Sequence, residues 1–336
     1  MAPSSDPVPS SDAAAAAFDS GWLDVGGGHR VWYEQSGNPA GVPVVVLHGG
    51  PGSGSSARQR VFYDGALFRI VQFDQRGSGR SEPSGEVANN RTAALVADVE
   101  RLREHLAIDR WLVSGGSWGS TLALVYSAQH RERITGLLAR AIFLASRADL
   151  AWYFNGSQAV APDAYERFMA EIPRRWQRRV LTYLERSLRI GGDGEKSVRL
   201  ATAWMNFEAA LNGADPAVPQ AVPPPPGGGE ALARKYRVQS HYLAQRCFLD
   251  RGAVLHAAAA LRGVPVALIH GTRDLICLPQ NAWRVQRACP GSRLAWAAGA
   301  GHNPFHPAMD ALTRSALACF AMHGDFSRWP DAAVAP

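Results

Sequence analysis

Short, mostly apolar runs at 42–47, 68–73, 111–113 and 264–270 punctuate the chain. Runs of this length without strict polar alternation suit strands buried on both faces, as in a parallel sheet. The first runs straight into His48-Gly49-Gly50-Pro51-Gly52, and the second into Asp74-Gln75-Arg76-Gly77-Ser78-Gly79. Residues 134–143 and 293–297 also read as strands. Residues 22–25 and 30–35 flank Gly26-Gly27-Gly28, which predicts a β-hairpin. Between the strands lie helical patterns. Residues 92–106 place Leu95, Val99, Leu102 and Leu106 on one face, and 121–129, 280–288 and 307–322 read likewise. The alternation of strand and helix stops from 146 to 255, where aromatic residues, arginines and helical patterns take over. A Pro/Gly run at 223–229 within that stretch predicts a loop or linker. The fold class predicted is α/β: a mostly parallel, doubly wound sheet with an inserted helical cap domain. The expected division is a disordered tail at 1–19, a core at 20–145 and 256–336, and a cap at 146–255.

Composition narrows the partners. The 336 residues are 46% hydrophobic and 19% charged, enough apolar material for one large domain or a core with an insertion. The net charge of +6 comes from scattered arginines, with Lys196 and Lys235 the only lysines. A scattered charge of this kind does not make a nucleic-acid or membrane patch. The one local cluster, Arg174, Arg175, Arg178 and Arg179, reads as a solvated helix face. Cys247, Cys277, Cys289 and Cys319 have no metal-ligand spacing and form no dense disulfide framework, so reduced thiols in a cytoplasmic protein are expected. No metal and no cofactor is called for. Residues 1–17 lack the basic start and apolar stretch of a signal peptide, and no run is long enough to span a membrane. Oligomeric state is left open.

Gly115-Gly116-Ser117-Trp118-Gly119 matches G-x-S-x-G, with a strand entering and an apolar helix leaving. That context puts Ser117 on a sharp turn at the end of the sheet, exposed as a nucleophile, with the positive end of a helix behind it. A serine hydroxyl needs a base. His302, in Gly299-Ala300-Gly301-His302, follows one strand, and Asp274, in Gly271-Thr272-Arg273-Asp274, follows the strand before it. Ser, Asp, His is the chain order expected for this kind of elbow, so Asp274 would orient His302, and His302 would take the serine proton. The other histidines are weaker choices. His48 opens a glycine loop and shapes it, His270 ends a strand and is expected to be buried or hydrogen-bonded, and His306 stands near the last helix. Two backbone N–H groups should hold the oxyanion, one from Trp118 and one from Gly50, since Pro51 has no N–H. Asp74 and Arg76 are expected to form a charged turn that supports the oxyanion loop.

These motifs together resemble the proline iminopeptidase family of the α/β-hydrolase fold. The resemblance rests on His48-Gly49-Gly50-Pro51-Gly52, Asp74 through Ser81, Asn89-Asn90, Arg110-Trp111 and the long block Gly115 through Leu124. It continues in Ile142-Phe143-Leu144, in Asp274 with Cys277 and Pro279, and in Asn281-Ala282-Trp283, and it spans nearly all the chain after residue 20. It implies a serine peptidase whose helical cap selects an N-terminal proline, with acidic cap residues receiving the substrate's amine. Glu208 matches one of these, in Trp204-Met205-Asn206-Phe207-Glu208. The other falls at Gln239, in Arg237-Val238-Gln239-Ser240-His241-Tyr242, where an amide replaces the carboxylate. Losing one charge-assisted contact there would cost about 1–3 kcal/mol of binding. Phe143, Trp152 and Tyr153 match apolar positions near the family's proline pocket. The resemblance implies a small peptide or amide as substrate; an esterase, or a tailoring amide hydrolase with altered amine recognition, is the alternative. A ligand-binding protein on this fold is a third reading, and the intact Ser, Asp and His argue against it.

Overall fold

A computed structural model describes residues 16–190, 192, 194–212 and 228–329. Residues 1–15 of the tail expected at 1–19 and residues 223–227 of the loop expected at 223–229 lie outside the described residues, and Asp19, read as the end of the tail, already belongs to the first strand. Strands β1 (Asp19–Gly26) and β2 (His29–Gly37) form the hairpin, with Gly27 and Gly28 as its turn at positive φ. Then come β3 (Val42–Leu47), β4 (Phe68–Phe73), α1 (Thr92–His105), β5 (Trp111–Gly116), α2 (Trp118–Gln129) and β6 (Ile134–Arg140). After a helical stretch the chain returns through β7 (Val266–Gly271), α9 (Gln280–Ala288), β8 (Arg293–Ala297) and α10 (Pro307–His323). The eight strands form one sheet in the order β1-β2-β4-β3-β5-β6-β7-β8. From β3 to β8 every pairing is parallel; β2 alone runs against the rest, antiparallel to both β1 and β4.

The apolar run of β3 shows why these strands are central. Val45 and Leu47 pack into one hydrophobic layer and Val44 and Val46 into the other, all fully buried. The alternation of side chains fills both faces, so no polar residue is tolerated. One layer holds α1, α2 and α9; the other holds α10 and a short turn at Ala57–Phe62. Because the six strands run the same way, the ends of β3, β5, β6, β7 and β8 open on one edge. Ligands of open α/β sheets bind outside the carboxyl ends of the strands.

Between β6 and β7 lie α3 (Arg147–Phe154), α4 (Pro162–Ala170), α5 (Val180–Ile190), α6 (Glu195–Asn212), α7 (Gly228–Ala244) and α8 (Ala253–Ala260). Trp204, Phe207, Phe168 and Tyr236 form their common aromatic core, with Phe168 and Phe207 stacked at 5.1 Å. Two differences from the sequence reading stand out. Gly228 and Gly229, read as part of a linker, begin α7. Helix α8 straddles the expected boundary at 255/256 and packs against α2 and α9, on the flank of the sheet. The four arginines at 174–179 sit exposed on a short 3-10 turn, as a solvated face should.

Candidate active site

Ser117 sits between β5 and α2 with φ +57° and ψ −126°, a conformation an L-residue adopts only when its surroundings force it. Three contacts do so. The Ser117 N–H donates to the Arg140 carbonyl at 3.1 Å, its carbonyl accepts from the Ser120 N–H at 2.9 Å, and the Ser120 hydroxyl donates to the same carbonyl at 2.6 Å. Glycine is required opposite it. A Cβ on Gly49 would stand 3.0 Å from the Gly116 carbonyl oxygen and 3.3 Å from the Ser117 Cβ. Ser117 also caps α2, so the Trp118 N–H is one of the helix's unpaired leading donors.

The loops after β7 and β8 bring Asp274 and His302 to the same edge. His302 Nδ1 donates to Asp274 Oδ2 at 2.8 Å, which leaves Nε2 as the acceptor. Asp274 is fully buried, and its Oδ1 accepts the N–H groups of Ile276 and Cys277 at 2.9 and 2.8 Å. Burial alone would raise the Asp274 pKa; the neighbouring His302 charge and hydrogen bond, then His270 and the Cys277 N–H, outweigh it and hold the pKa below the usual carboxylate value. The balance at His302 runs the other way. Burial lowers its pKa, but the Asp274 charge and hydrogen bond, with Glu208 behind them, raise the net value above 6.5. Among the described residues no hydrogen bond joins Ser117 to His302. The Ser117 side chain instead meets the buried Cys277 thiol, and rotation about its Cα–Cβ bond is what would engage the base.

The other histidines have settled roles. His48 Nε2 accepts the Gln75 N–H at 3.0 Å, while the Gln75 amide bridges the His48 carbonyl and the Trp118 indole N–H at 3.0 and 2.8 Å. His48 thereby fixes the loop carrying Gly50 against the nucleophile turn, and burial keeps its pKa low. His270, fully buried, accepts the Ile142 N–H and donates to the Cys277 carbonyl. His306 caps α10. Asp74 braces the chain just after the Gly50 loop, accepting both Ser55 donors and the Arg80 N–H. Arg76 differs: it forms a bidentate pair with Asp98 at 2.6 and 2.8 Å and ties α1 and β1 to the turn, away from the loop.

Ser117, Trp118, Gly50 and His302 line a cavity of about 310 Å³ whose far wall comes from the helices between β6 and β7. Glu208 lies in that wall with three donors on its carboxylate. Tyr153 and Tyr236 donate their hydroxyls at 3.0 and 2.6 Å, and Gln239 donates its Nε2 at 2.6 Å. Trp204 donates in turn to the Tyr153 hydroxyl at 2.8 Å. Burial and the Glu208 charge push both tyrosines well above 10, so they remain donors. With its Nε2 fixed on Glu208, Gln239 turns Oε1 toward the oxyanion loop, 3.5 Å from where a Gly50 Cβ would be. Phe143, Leu150, Tyr153, Ile276 and Cys277 supply the apolar wall.

Trp152 is not part of it. On α3, Leu150 and Tyr153 are three apart and share the face toward the cavity, whereas Trp152 turns aside, donating to the Leu275 carbonyl at 2.8 Å. Sequence reasoning also passed over Tyr236, one turn before Gln239 on α7, and Arg140, at the end of β6. Arg140 is 4% exposed and lines the cavity, yet its Nε and Nη1 have no hydrogen-bond partner among the described residues. The i, i+3 spacing from Gln239 was the available signal for Tyr236; nothing in the sequence marked Arg140.

Comparison with known proteins agrees with this architecture. Residues 42–308 match the family model for the alpha/beta hydrolase fold. A proline iminopeptidase of Xylella fastidiosa is 41% identical over 302 residues, covering 88% of this chain and 94% of the relative. One of Arabidopsis thaliana is 37% identical over 296 residues, covering 88% and 77%. The crystal structure of a proline iminopeptidase of Mycobacterium smegmatis superposes with a TM-score of 0.58 at 19% identity, covering 92% of this chain and 99% of that one, which is a likeness of fold. On the strength of these sequence matches, the chain belongs to the proline iminopeptidase family of α/β-hydrolases.

Proposed function

We propose that the protein is a prolyl aminopeptidase, a serine hydrolase that releases an N-terminal proline from a short peptide or amide through an acyl-enzyme on Ser117. The observation that carries this reading is the Glu208 carboxylate, held by three donors in the same cavity as Ser117 and His302. An anion there suits a substrate with a free, protonated amine one bond from the carbon bearing the scissile carbonyl. In the proposed mechanism His302 Nε2 takes the Ser117 proton as Oγ attacks the carbonyl, and Asp274 stabilises the imidazolium. The N–H groups of Trp118 and Gly50 receive the oxyanion, each donor contributing about 3–4 kcal/mol. His302 then gives its proton to the leaving amine, and water repeats the sequence on the ester. Glu208 and the Gln239 Oε1 would take the ammonium, and Phe143, Tyr153 and Leu150 the pyrrolidine ring. The division into a core at 20–145 and 256–336 and a cap at 146–255 belongs to this proposal, with α8 assigned to the core. So does a cytoplasmic location, which the free thiols favour.

A panel of N-terminal amino acid amides tests the substrate. Proline amide should lead it, with alanine amide behind. A panel led by amides lacking a free amine, or turnover of simple esters alone, would favour the second reading, an esterase or tailoring amide hydrolase. The neutral Gln239 at the amine site is the feature that gives that reading its weight.

A further inference from the structure

Besides Glu208, the cavity lining holds a buried charged group of the opposite sign, Arg140. Arg140 projects from the last position of β6 onto the sheet face that carries α10 and the Ala57–Phe62 turn, where its guanidinium carbon lies 4.5 Å over the Phe62 ring. It is nearly fully buried, and among the described residues neither Nε nor Nη1 has a hydrogen-bond acceptor. Asp310, whose charge reaches Arg140, is bound by Arg314 at 2.9 Å, and the Tyr63 hydroxyl donates to Ser114 at 2.7 Å. Gln59, on the same turn as Phe62, also lines the cavity; its Oε1 is buried and unpartnered among the described residues, and its amide can turn either end toward a ligand. A buried guanidinium with no acceptor for two of its nitrogens and no paired carboxylate among the described residues is costly, and such a group in a binding cavity is most simply explained by an anion supplied from outside.

Position tells which anion. The Phe62 ring under Arg140 stacks at 5.2 Å on Phe305, three residues after His302, so Arg140 lies on the side of the site that the His302 loop closes. His302 protonates the leaving nitrogen, so this is the leaving-group side. We infer that Arg140, with Gln59, binds the free C-terminal carboxylate of the residue that follows proline, so that dipeptides are the preferred substrates. This rests on the aminopeptidase reading above. In a dipeptide the carboxylate carbon is two bonds from the scissile nitrogen, and a planar guanidinium can receive both of its oxygens. In a longer peptide a neutral amide occupies that place and leaves Arg140 unpaired.

The test compares kcat/KM for prolyl-alanine and prolyl-alaninamide, which differ only in that charge, with proline amide as a substrate too short to reach Arg140. The wild-type protein should favour the free acid by about 10- to 100-fold. Arg140→Gln should bring the ratio near unity and Arg140→Lys should keep part of it. If Arg140→Gln does not fold, Gln59→Leu should still lower the ratio. Equal turnover of the two dipeptides by the wild-type protein overturns the carboxylate site alone, as does a preference that survives in Arg140→Gln or the turnover of proline amide without either dipeptide. Failure of all three substrates overturns the aminopeptidase reading and this inference with it.

Discussion

Replacing Gln239 with glutamate probes the amine site most sharply. The Gln239 Nε2 donates to Glu208 Oε1 at 2.6 Å. A glutamate there would face oxygen against oxygen at that separation. Two full charges 2.6 Å apart in surroundings of effective dielectric 20 repel by about 6 kcal/mol, far more than is needed to hold one proton between them at neutral pH. The free variant therefore binds a proton that the wild-type protein does not, and the pair titrates as a unit. A substrate ammonium displaces that proton, because it can then meet two carboxylates in place of a carboxylate and an amide. KM for proline p-nitroanilide in Gln239→Glu should fall with rising pH between about 6 and 9, becoming roughly tenfold lower than wild type at the alkaline end. At the acid end the protonated pair resembles the wild-type carboxylate and amide, and the two KM values should converge. The change belongs in KM, since residue 239 touches none of the reacting atoms. Wild-type and variant KM values that keep a constant ratio across the range would refute the arrangement of the amine site.

Other expectations follow from the same geometry. The acid limb of wild-type kcat/KM should lie above pH 6.5, because His302 must be neutral to accept the serine proton and Asp274 raises its pKa. Asp274→Asn removes the carboxylate and leaves the burial that opposes it, so the limb should move to lower pH while kcat falls by about 10⁴. Gly49→Ala should cost activity through crowding of the nucleophile turn, with a stability loss of about 1–3 kcal/mol in denaturant titration, since its Cβ has nowhere to go between Gly116 and Ser117. A Gly49→Ala protein with normal activity and stability would show that the turn tolerates a wider separation.

Much of the sheet was legible because its strands are apolar runs closed by glycine. Val42–Leu47, Phe68–Phe73 and Arg293–Ala297 fall where the pattern predicts them. The errors have local causes. Helix α2 begins at Trp118, three residues before its apolar pattern starts, because the nucleophile turn enters the helix directly and Gly119 and Ser120 are weak helix formers. Strand β6 stops at Arg140, short of the expected 143, because Ala141 takes φ +46° and the next N–H leaves the sheet to bond the His270 ring. Within the candidate site, Ser117, Asp274 and His302 could be read from chain order and turn chemistry. The wall that would select the substrate could not. Glu208 and Gln239 lie on different helices and meet only through packing, and Trp152 fits the apolar pattern of α3 while facing away from the cavity. Arg140 reads as one arginine among many until acceptors for its Nε and Nη1 are sought among the described residues and none are found.

The central claim is that Ser117 forms a covalent acyl-enzyme with an N-terminal prolyl group. It is tested most directly by rapid acid quenching of the protein during turnover of a prolyl ester, followed by mass spectrometry of the peptide containing residue 117. The expected result is a prolyl adduct on Ser117, absent in Ser117→Ala, whose kcat should be lower by about 10⁴ or more. An adduct on another residue, or full turnover by Ser117→Ala, would contradict the account.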